Sequence, residues 1–368
     1  MNYQAYIEQS LQSFVPAKSK WNYEDGCALQ GAAYLYEVTG DSRYKDFILS
    51  YLRDFVSPEG EIRGFRIDEY NIDSIHPGRL LLLAVDWEPS DPRFAKALEQ
   101  VRAQLDTHPR TEEGNFWHKK IYPWQVWLDG LYMAQPFYAR YDTIYGGMSH
   151  YQDIVSQFQN VRKRLFVEEK QLYIHAYDEQ RAQPWADPVT GHSPNFWLRA
   201  IGWFLVAIVD TYAEISETIF EAKEAFVPLM DEAVRGLMPY MHPDKFMFYD
   251  LVDLPELEGN YLETSGSAMV AFALLKASRL GMIDKEVCDP IGRKILQAVH
   301  DQRLIQEDGS WKLTGMVEVS GLGPGDKRDG SVEYYLSEPV VADDHKGMGA
   351  FMMAWSELLR LGGDEVKR

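Results

Sequence analysis

Cysteine is scarce in this chain. Only Cys27 and Cys288 occur in 368 residues, far apart, and they offer neither a disulfide framework nor a metal-ligand spacing. Basic charge is also short: 37 Lys and Arg stand against 56 Asp and Glu, a formal net charge of −19. That balance excludes nucleic acid and anionic membranes as general partners. It leaves room for a small anionic substrate, because screening over about 8–10 Å lets a local cationic cluster outweigh a distant average. No apolar run approaches the length that spans a bilayer, and residues 1–14 lack the basic start and apolar core of a secretion signal. A reducing, cytoplasmic setting is expected. Nucleotide and metal motifs are missing too. Gly321-Leu-Gly-Pro-Gly325 lacks the lysine and the strand–helix context of a phosphate loop, and no His-Glu-x-x-His or Gly-x-Ser-x-Gly motif occurs. No cofactor and no metal are expected.

Helical periodicity is abundant. Leu29, Ala32, Ala33 and Tyr36 fall at i, i+3, i+4, i+7, as do Ala268, Ala271, Phe272 and Leu275, and again Phe351, Ala354, Trp355 and Leu358. Such stripes predict roughly a dozen helices, near 2–15, 24–39, 41–56, 73–86, 92–106, 123–142, 147–166, 194–215, 217–239, 263–280, 284–303 and 345–361. Strand signals are confined to Gln171–Tyr177 and, more weakly, Trp311–Val317. No linker or composition break divides the chain, so residues 1–368 read as one domain. Long connections at 57–72, 107–122, 178–193 and 304–343 are rich in Gly, Asp, His and aromatics, and loops of that length in a compact domain are usually functional. A closed ring of helices with its loops over one mouth fits better than an open solenoid, because no fixed-period repeat is present.

Four clusters carry the polar chemistry. In Glu69-Tyr-Asn-Ile-Asp73-Ser-Ile-His76-Pro-Gly-Arg79, Asp73 reads either as a helix N-cap or as a site carboxylate. The second cluster runs Asn115-Phe-Trp117-His118-Lys119-Lys120 and on through Trp124, Trp127, Asp129, Gly130, Tyr132 and Met133. Pro123 suits a first helical turn, which places Asp129 well inside a helix. Asp followed by Gly is unfavourable there. Either Asp129 faces a cavity, with Gly130 leaving room for a ligand, or it sits in an internal ion pair. The third cluster, Tyr173-Ile-His175-Ala-Tyr177, holds a histidine whose neighbours cannot be read from spacing. In the fourth, Asn195-Phe-Trp197-Leu-Arg199-Ala-Ile-Gly202-Trp203, an arginine between two tryptophans suits a carboxylate beside a sugar face. Carboxylate, imidazole, guanidinium and indole together suit acid–base work on an anionic sugar.

These motifs resemble those of the unsaturated rhamnogalacturonyl hydrolases of glycoside hydrolase family 105, relatives of the unsaturated glucuronyl hydrolases. The likeness runs from Trp21-Asn-Tyr-Glu-Asp-Gly and Leu35-Tyr-Glu-Val-Thr-Gly-Asp through Asp73, Trp127-Leu-Asp-Gly-Leu-Tyr-Met133 and Asn195–Trp203. It continues to Glu263-Thr-Ser-Gly-Ser-Ala-Met269 and Tyr334-Tyr-Leu-Ser-Glu-Pro339. The resemblance implies an all-α fold, an (α/α)6 barrel. It implies hydration of the C4=C5 vinyl ether of a 4,5-unsaturated uronic acid at the non-reducing end of an oligosaccharide made by a lyase, with rhamnogalacturonan as the expected source. It assigns Asp129 as general acid/base and Asp73 as the second carboxylate. Tyr23, His118, Lys119, Trp127, Met133, His175, Trp197, Arg199 and Trp203 match substrate-cleft positions, with Arg199 or its neighbours toward the uronate carboxylate. An inverting glycosidase, a sugar epimerase on the same toroid, or a non-catalytic glycan- or protein-binding helical module are the alternatives. The sugar beside the uronate and the oligomeric state are not readable.

Overall fold

The computed structural model describes residues 2–323 and 326–362. Its helices are α1 (Tyr3–Gln12), α2 (Tyr23–Thr39), α3 (Ser42–Phe55), α4 (Gly78–Trp87), α5 (Pro92–Thr107), α6 (Gly130–Ile144), α7 (Tyr151–Leu165), α8 (Leu198–Glu214), α9 (Phe220–Glu224), α10 (Phe226–Leu237), α11 (Thr264–Arg279), α12 (Lys285–Arg303), α13 (Val332–Ser337) and α14 (His345–Leu361). Helices α2, α4, α6, α8, α11 and α14 form an inner ring. Each packs on the next, and α14 closes against α2. Helices α1, α3, α5, α7, α10 and α12 lie outside them. This is the (α/α)6 barrel.

Amphipathicity decides which helix goes where. Every residue of α8 from Leu198 to Tyr212 is buried, and so is every residue of α11 from Thr264 to Ser278. A helix apolar on all sides must be enclosed. Helix α3 buries one stripe only, Tyr44, Ile48, Leu49, Tyr51, Leu52 and Phe55, as an outer helix should. Glycine sets the tightest contact in the ring. A Cβ at Gly349 of α14 would collide with the Cys27 carbonyl of α2, and one at Gly31 would come within 2.8 Å of Met352 Cβ.

The barrel axis holds a buried charge cluster that touches all six inner helices. Asp210 of α8 pairs with Arg79 of α4 at 2.8 Å and with Lys276 of α11 at 2.6 Å. Tyr34 of α2 accepts from Lys276 at 3.0 Å and from Arg79 at 3.1 Å. Arg79 also reaches the hydroxyl of Tyr132 on α6 at 3.4 Å, and that hydroxyl points to Met353 Sδ of α14. Burial works against an ionised Asp210, but the two cations prevail and hold its pKa below the ordinary value.

Several helix boundaries differ from the sequence reading. The segment predicted as 73–86 begins with a 3-10 turn, Ile72–Ile75, whose N-cap is Asn71; α4 starts only at Gly78. Asp73 therefore does not cap α4. The predicted 217–239 helix is split into α9 and α10. The largest difference is at 123–142, where the helix begins at Gly130. Trp124 takes a positive φ of 65°, and Gln125–Trp127 forms a strand, β1. Eight short strands occur among the described residues: β1, β2 (Phe166–Val167), β3 (Leu172–Tyr173), β4 (Ala176–Asp178), β5 (Leu304–Glu307), β6 (Ser310–Leu313), β7 (Met316–Val317) and β8 (Val340–Val341). They pair antiparallel as β1·β4, β2·β3, β5·β6 and β7·β8. The predicted strand 171–177 thus serves two ladders, β3 and β4, and the predicted 311–317 likewise serves β6 and β7. No helix among the described residues is long and apolar enough to cross a membrane.

Removing Asp210 leaves two buried cations facing each other. Asp210→Asn is expected to lower the unfolding free energy by about 3–5 kcal/mol, read from denaturant midpoints. An unchanged midpoint would show that the cluster does not hold the ring.

Candidate active site

The inner helices direct their N-termini toward one cavity of about 610 Å³. Helices α2, α6, α8 and α14 reach it with their caps or first residues, namely Asn22 and Tyr23, Asp129, Trp197, and Asp344 to Lys346. Helix α4 is entered through the turn bearing Asp73 and Ser74, which also line it, whereas Glu263, the cap of α11, lies behind the wall. Each helix N-terminus carries roughly half a positive charge. Their convergence makes this cavity a favourable place for an anion within a chain of net charge −19.

Backbone pairing assembles the half of the cavity around Asp129. In the β1·β4 ladder Trp127 lies opposite Ala176, and the Leu128 N–H donates to the His175 carbonyl at 2.9 Å. That ladder brings His175 beside Asp129, the contact that spacing alone does not reveal. The Ile72 N–H donates to the His118 carbonyl at 3.1 Å, and the His118 N–H donates to the Gln125 carbonyl at 2.8 Å. Asp73, His118, Lys119 and Trp127 are thereby gathered around Asp129.

Side chains complete it. Lys119 Nζ sits 2.6 Å from Asp73 Oδ2, and His118 Nε2 lies 3.4 Å from Asp73 Oδ1. The His118 ring stacks on Trp127 at 4.2 Å, and Trp127 in turn stacks on Tyr122 at 5.0 Å. His175 Nδ1 bonds the Tyr335 hydroxyl at 2.6 Å, and its Nε2 lies 3.8 Å from Asp129 Oδ1, too far for a hydrogen bond. Both of those atoms are buried without a hydrogen-bond partner among the described residues, so they are available to a polar guest. Trp197 is fixed by Asp250, which accepts from its Nε1 at 3.0 Å. Among the described residues no group of three or more His, Cys, Asp or Glu side chains is disposed to hold a metal.

Of the predicted site residues, Asp129, Asp73, Tyr23, His118, Lys119, Trp127, His175 and Trp197 line the cavity. Three do not. Arg199 is 1% exposed, and its Nε donates to Ser265 Oγ at 2.8 Å while its terminal nitrogens donate to the carbonyls of Val317 and Glu318. Its guanidinium anchors the strand that carries the wall residues Glu318 to Gly321, and it does not itself line the cavity. Trp203 stacks on Tyr132 at 4.4 Å in the core, and Met133 is buried one turn further into α6. Asp129 is also repositioned. It is the N-cap residue of α6, with no side-chain capping bond, rather than an interior helical residue. Gly130 makes room for a neighbour instead of a ligand: a Cβ there would stand 3.0 Å from His118 Nδ1. Sequence reasoning missed Asn22, Tyr122, Ser320, Arg328, His345 and Lys346, all on the cavity wall. Asp343-Asp344-His345-Lys346 before an apolar run carries a capping signal, but nothing in that run shows that it borders the site.

The chain matches Glycosyl Hydrolase Family 88 over residues 2–362. It belongs to that family. A family 105 glycoside hydrolase from C. acetobutylicum superposes with a TM-score of 0.92 at 37% identity, over 96% of this chain and 98% of that one. The unsaturated rhamnogalacturonyl hydrolase YesR of Bacillus subtilis is 26% identical over 352 residues, 92% of this chain and 90% of its own. Protein Atu3128 of Agrobacterium fabrum is 39% identical over 238 residues, 62% of this chain and 99% of its own.

In this family 88 hydrolase the two aspartates occupy different electrostatic settings. Burial and the nearby Asp73 charge push Asp129 up to about 7, outweighing Lys119 and Arg199. A helix N-terminus favours the ionised form, by typically 0.3–1 kcal/mol, and is overcome as well. Burial opposes the charge on Lys119, but Asp73 restores it and holds the ammonium above its usual range. His175 is pushed down to about 3 by burial and by His118, and His118 is held well below its usual range by burial and Lys119, so both imidazoles are neutral near pH 7. The arrangement thus sets a carboxyl that titrates near neutral pH beside an ion pair.

Asp73→Asn removes a negative charge beside Asp129 and frees the Lys119 charge, and both changes favour ionised Asp129. The Asp129 midpoint, followed by carboxyl carbon NMR, is expected to fall from about 7 toward the ordinary carboxylate range. A midpoint that stays in place or rises would rule out Asp73 as a source of the shift.

Proposed function

We propose that this glycoside hydrolase removes a 4,5-unsaturated uronic acid from the non-reducing end of lyase-generated oligosaccharides, and that rhamnogalacturonan fragments are its substrate. The observation that carries the reading is Asp129, a carboxyl whose pKa is raised to about 7, in a cavity whose helix N-termini attract an anion. The name of the Bacillus subtilis relative supports the substrate class. We read the chain as one catalytic domain, and its two unpaired, buried cysteines suit a cytoplasmic setting.

In this reading Asp129 donates its proton to C4 of the vinyl ether. Positive charge develops at C5 and on the ring oxygen, where the Asp73 carboxylate lowers its energy. Water attacks C5 and returns a proton to Asp129. The resulting hemiketal opens, and the bond to the next sugar is lost with it. Trp127 and Trp197 offer apolar faces to the sugar ring, and Lys119 holds Asp73 in place. The proton must be present at the start, so kcat/KM is expected to fall as pH rises through about 7.

Asp129→Asn keeps shape but cannot cycle a proton, and a loss of about 10²–10⁴-fold is expected. The assay follows the conjugated-enoate absorbance of an unsaturated disaccharide together with release of the second sugar. Both change together if the double bond is hydrated. Release of that sugar with the absorbance retained, or turnover of the saturated disaccharide, would assign displacement at the anomeric carbon instead.

A further inference from the structure

The wall that faces Asp129 is built with equal care. Around the ring the inner helices run α2, α4, α6, α8, α11, α14, so α14 stands three places from α6, across the cavity from Asp129. The first residue of α14 is His345, which lines the cavity. Its Nδ1 bonds Asp25 Oδ1 at 2.8 Å, and one face of its ring stacks on Phe14 at 4.5 Å and 16°. Asp25 is fully buried. It accepts further bonds from the Ala17 N–H at 2.8 Å, the Asn22 amide at 2.8 Å and the Tyr51 hydroxyl at 3.0 Å. His345 and Ala17 hold Oδ1, whereas Asn22 and Tyr51 hold Oδ2, so the carboxylate cannot turn. A carboxylate acts only as an acceptor, so Nδ1 is the ring atom that carries hydrogen. Nε2, on the opposite edge, takes no hydrogen bond among the described residues.

We propose that His345 is a second substrate-contacting residue, whose Nε2 receives a hydroxyl of the sugar next to the uronate, and that Asp25 is a positioning residue acting through it. Three observations support this assignment. An imidazole fixed by a buried carboxylate and a stacked ring has a single orientation, as an imidazole must to select one hydroxyl. Its place opposite Asp129 suits the far end of a substrate whose reacting end lies at Asp129. The immediate neighbours on this wall, Asp344 and Lys346, bond each other at 2.8 Å, which leaves the imidazole as the unengaged polar group among them. The ligand class is a neutral, hydroxyl-bearing sugar in glycosidic linkage to the unsaturated uronate. The assignment rests on the hydration reading given above.

The test compares two substrates, an unsaturated uronyl disaccharide and the methyl glycoside of the same unsaturated uronate, which has no second sugar. His345→Ala is expected to lower kcat/KM on the disaccharide about tenfold more than on the methyl glycoside, carried by KM, as befits one lost hydrogen bond. His345→Gln, which places an amide oxygen near the Nε2 position, is expected to recover most of the loss. Asp25→Asn is expected to reproduce the selective rise in KM. Equal losses on both substrates, or no loss on the disaccharide, would overturn the proposal. Equal losses accompanied by a lowered thermal midpoint would show that Asp25 and His345 serve only the fold. A wild-type enzyme that hydrates neither substrate would instead overturn the hydration reading itself.

Discussion

Six helices can surround an axis only if something fills it, and here the filling is ionic. Asp210 between Arg79 and Lys276, with Tyr34 and Tyr132 as hydroxyl partners, ties neighbouring inner helices at defined heights. An apolar plug of the same volume would often be as stabilising, but it would let the helices slide. Charges taken from water tolerate little slippage, because a displaced partner leaves an uncompensated ion costing about 3–5 kcal/mol. The heights of the inner helices fix where their N-termini end. Those ends are the floor and walls of the site.

The same geometry gives an acidic protein a cavity suited to an anion. The surface average is unfavourable, and Arg199, the arginine that best suits a carboxylate by sequence, is held by Ser265 and two carbonyls behind the wall. Converging helix N-termini add a positive field to that of the wall cations Lys20, Lys119, Arg328 and Lys346. Within that field the pKa of one carboxyl is still raised to about 7, because burial and a like charge act on it together. The two aspartates thus sit in unlike settings, one buried without a partner for Oδ1 and the other paired with Lys119.

Much of this was legible in the sequence, and the remainder was illegible for physical reasons. Periodicity located the helices, since a stripe at i, i+3, i+4, i+7 reports the helix itself. It did not locate the start of α6. Pro123 and the following aromatics satisfy helical and extended templates alike, and the choice was made by a distant partner, β4. Asp129 stood out as an unfavourable helical residue, and the inference of a special role followed from a wrong placement: it caps the helix and does not interrupt it. Arg199, Trp203 and Met133 share motifs with true wall residues, yet their side chains project behind the cavity. One step along a helix turns a side chain by about 100°, so neighbours in a motif need not share a surface. His345 carried no signal beyond a helix cap, because Asp25, which orients it, comes from the far end of the chain.

That long-range pairing has a temporal consequence. Asp73, His118, Asp129 and His175 all lie in the first half of the chain and are joined by backbone ladders among themselves. Their counterpart wall comes from opposite ends of the sequence, with Phe14 and Asp25 meeting His345, and Tyr3 stacking beside Trp355. During synthesis the acid-bearing wall is made early, and its cavity stays open on one side until α14 leaves the ribosome. The cavity thus gains its full wall only when α14 packs between α11 and α2 and the ring closes.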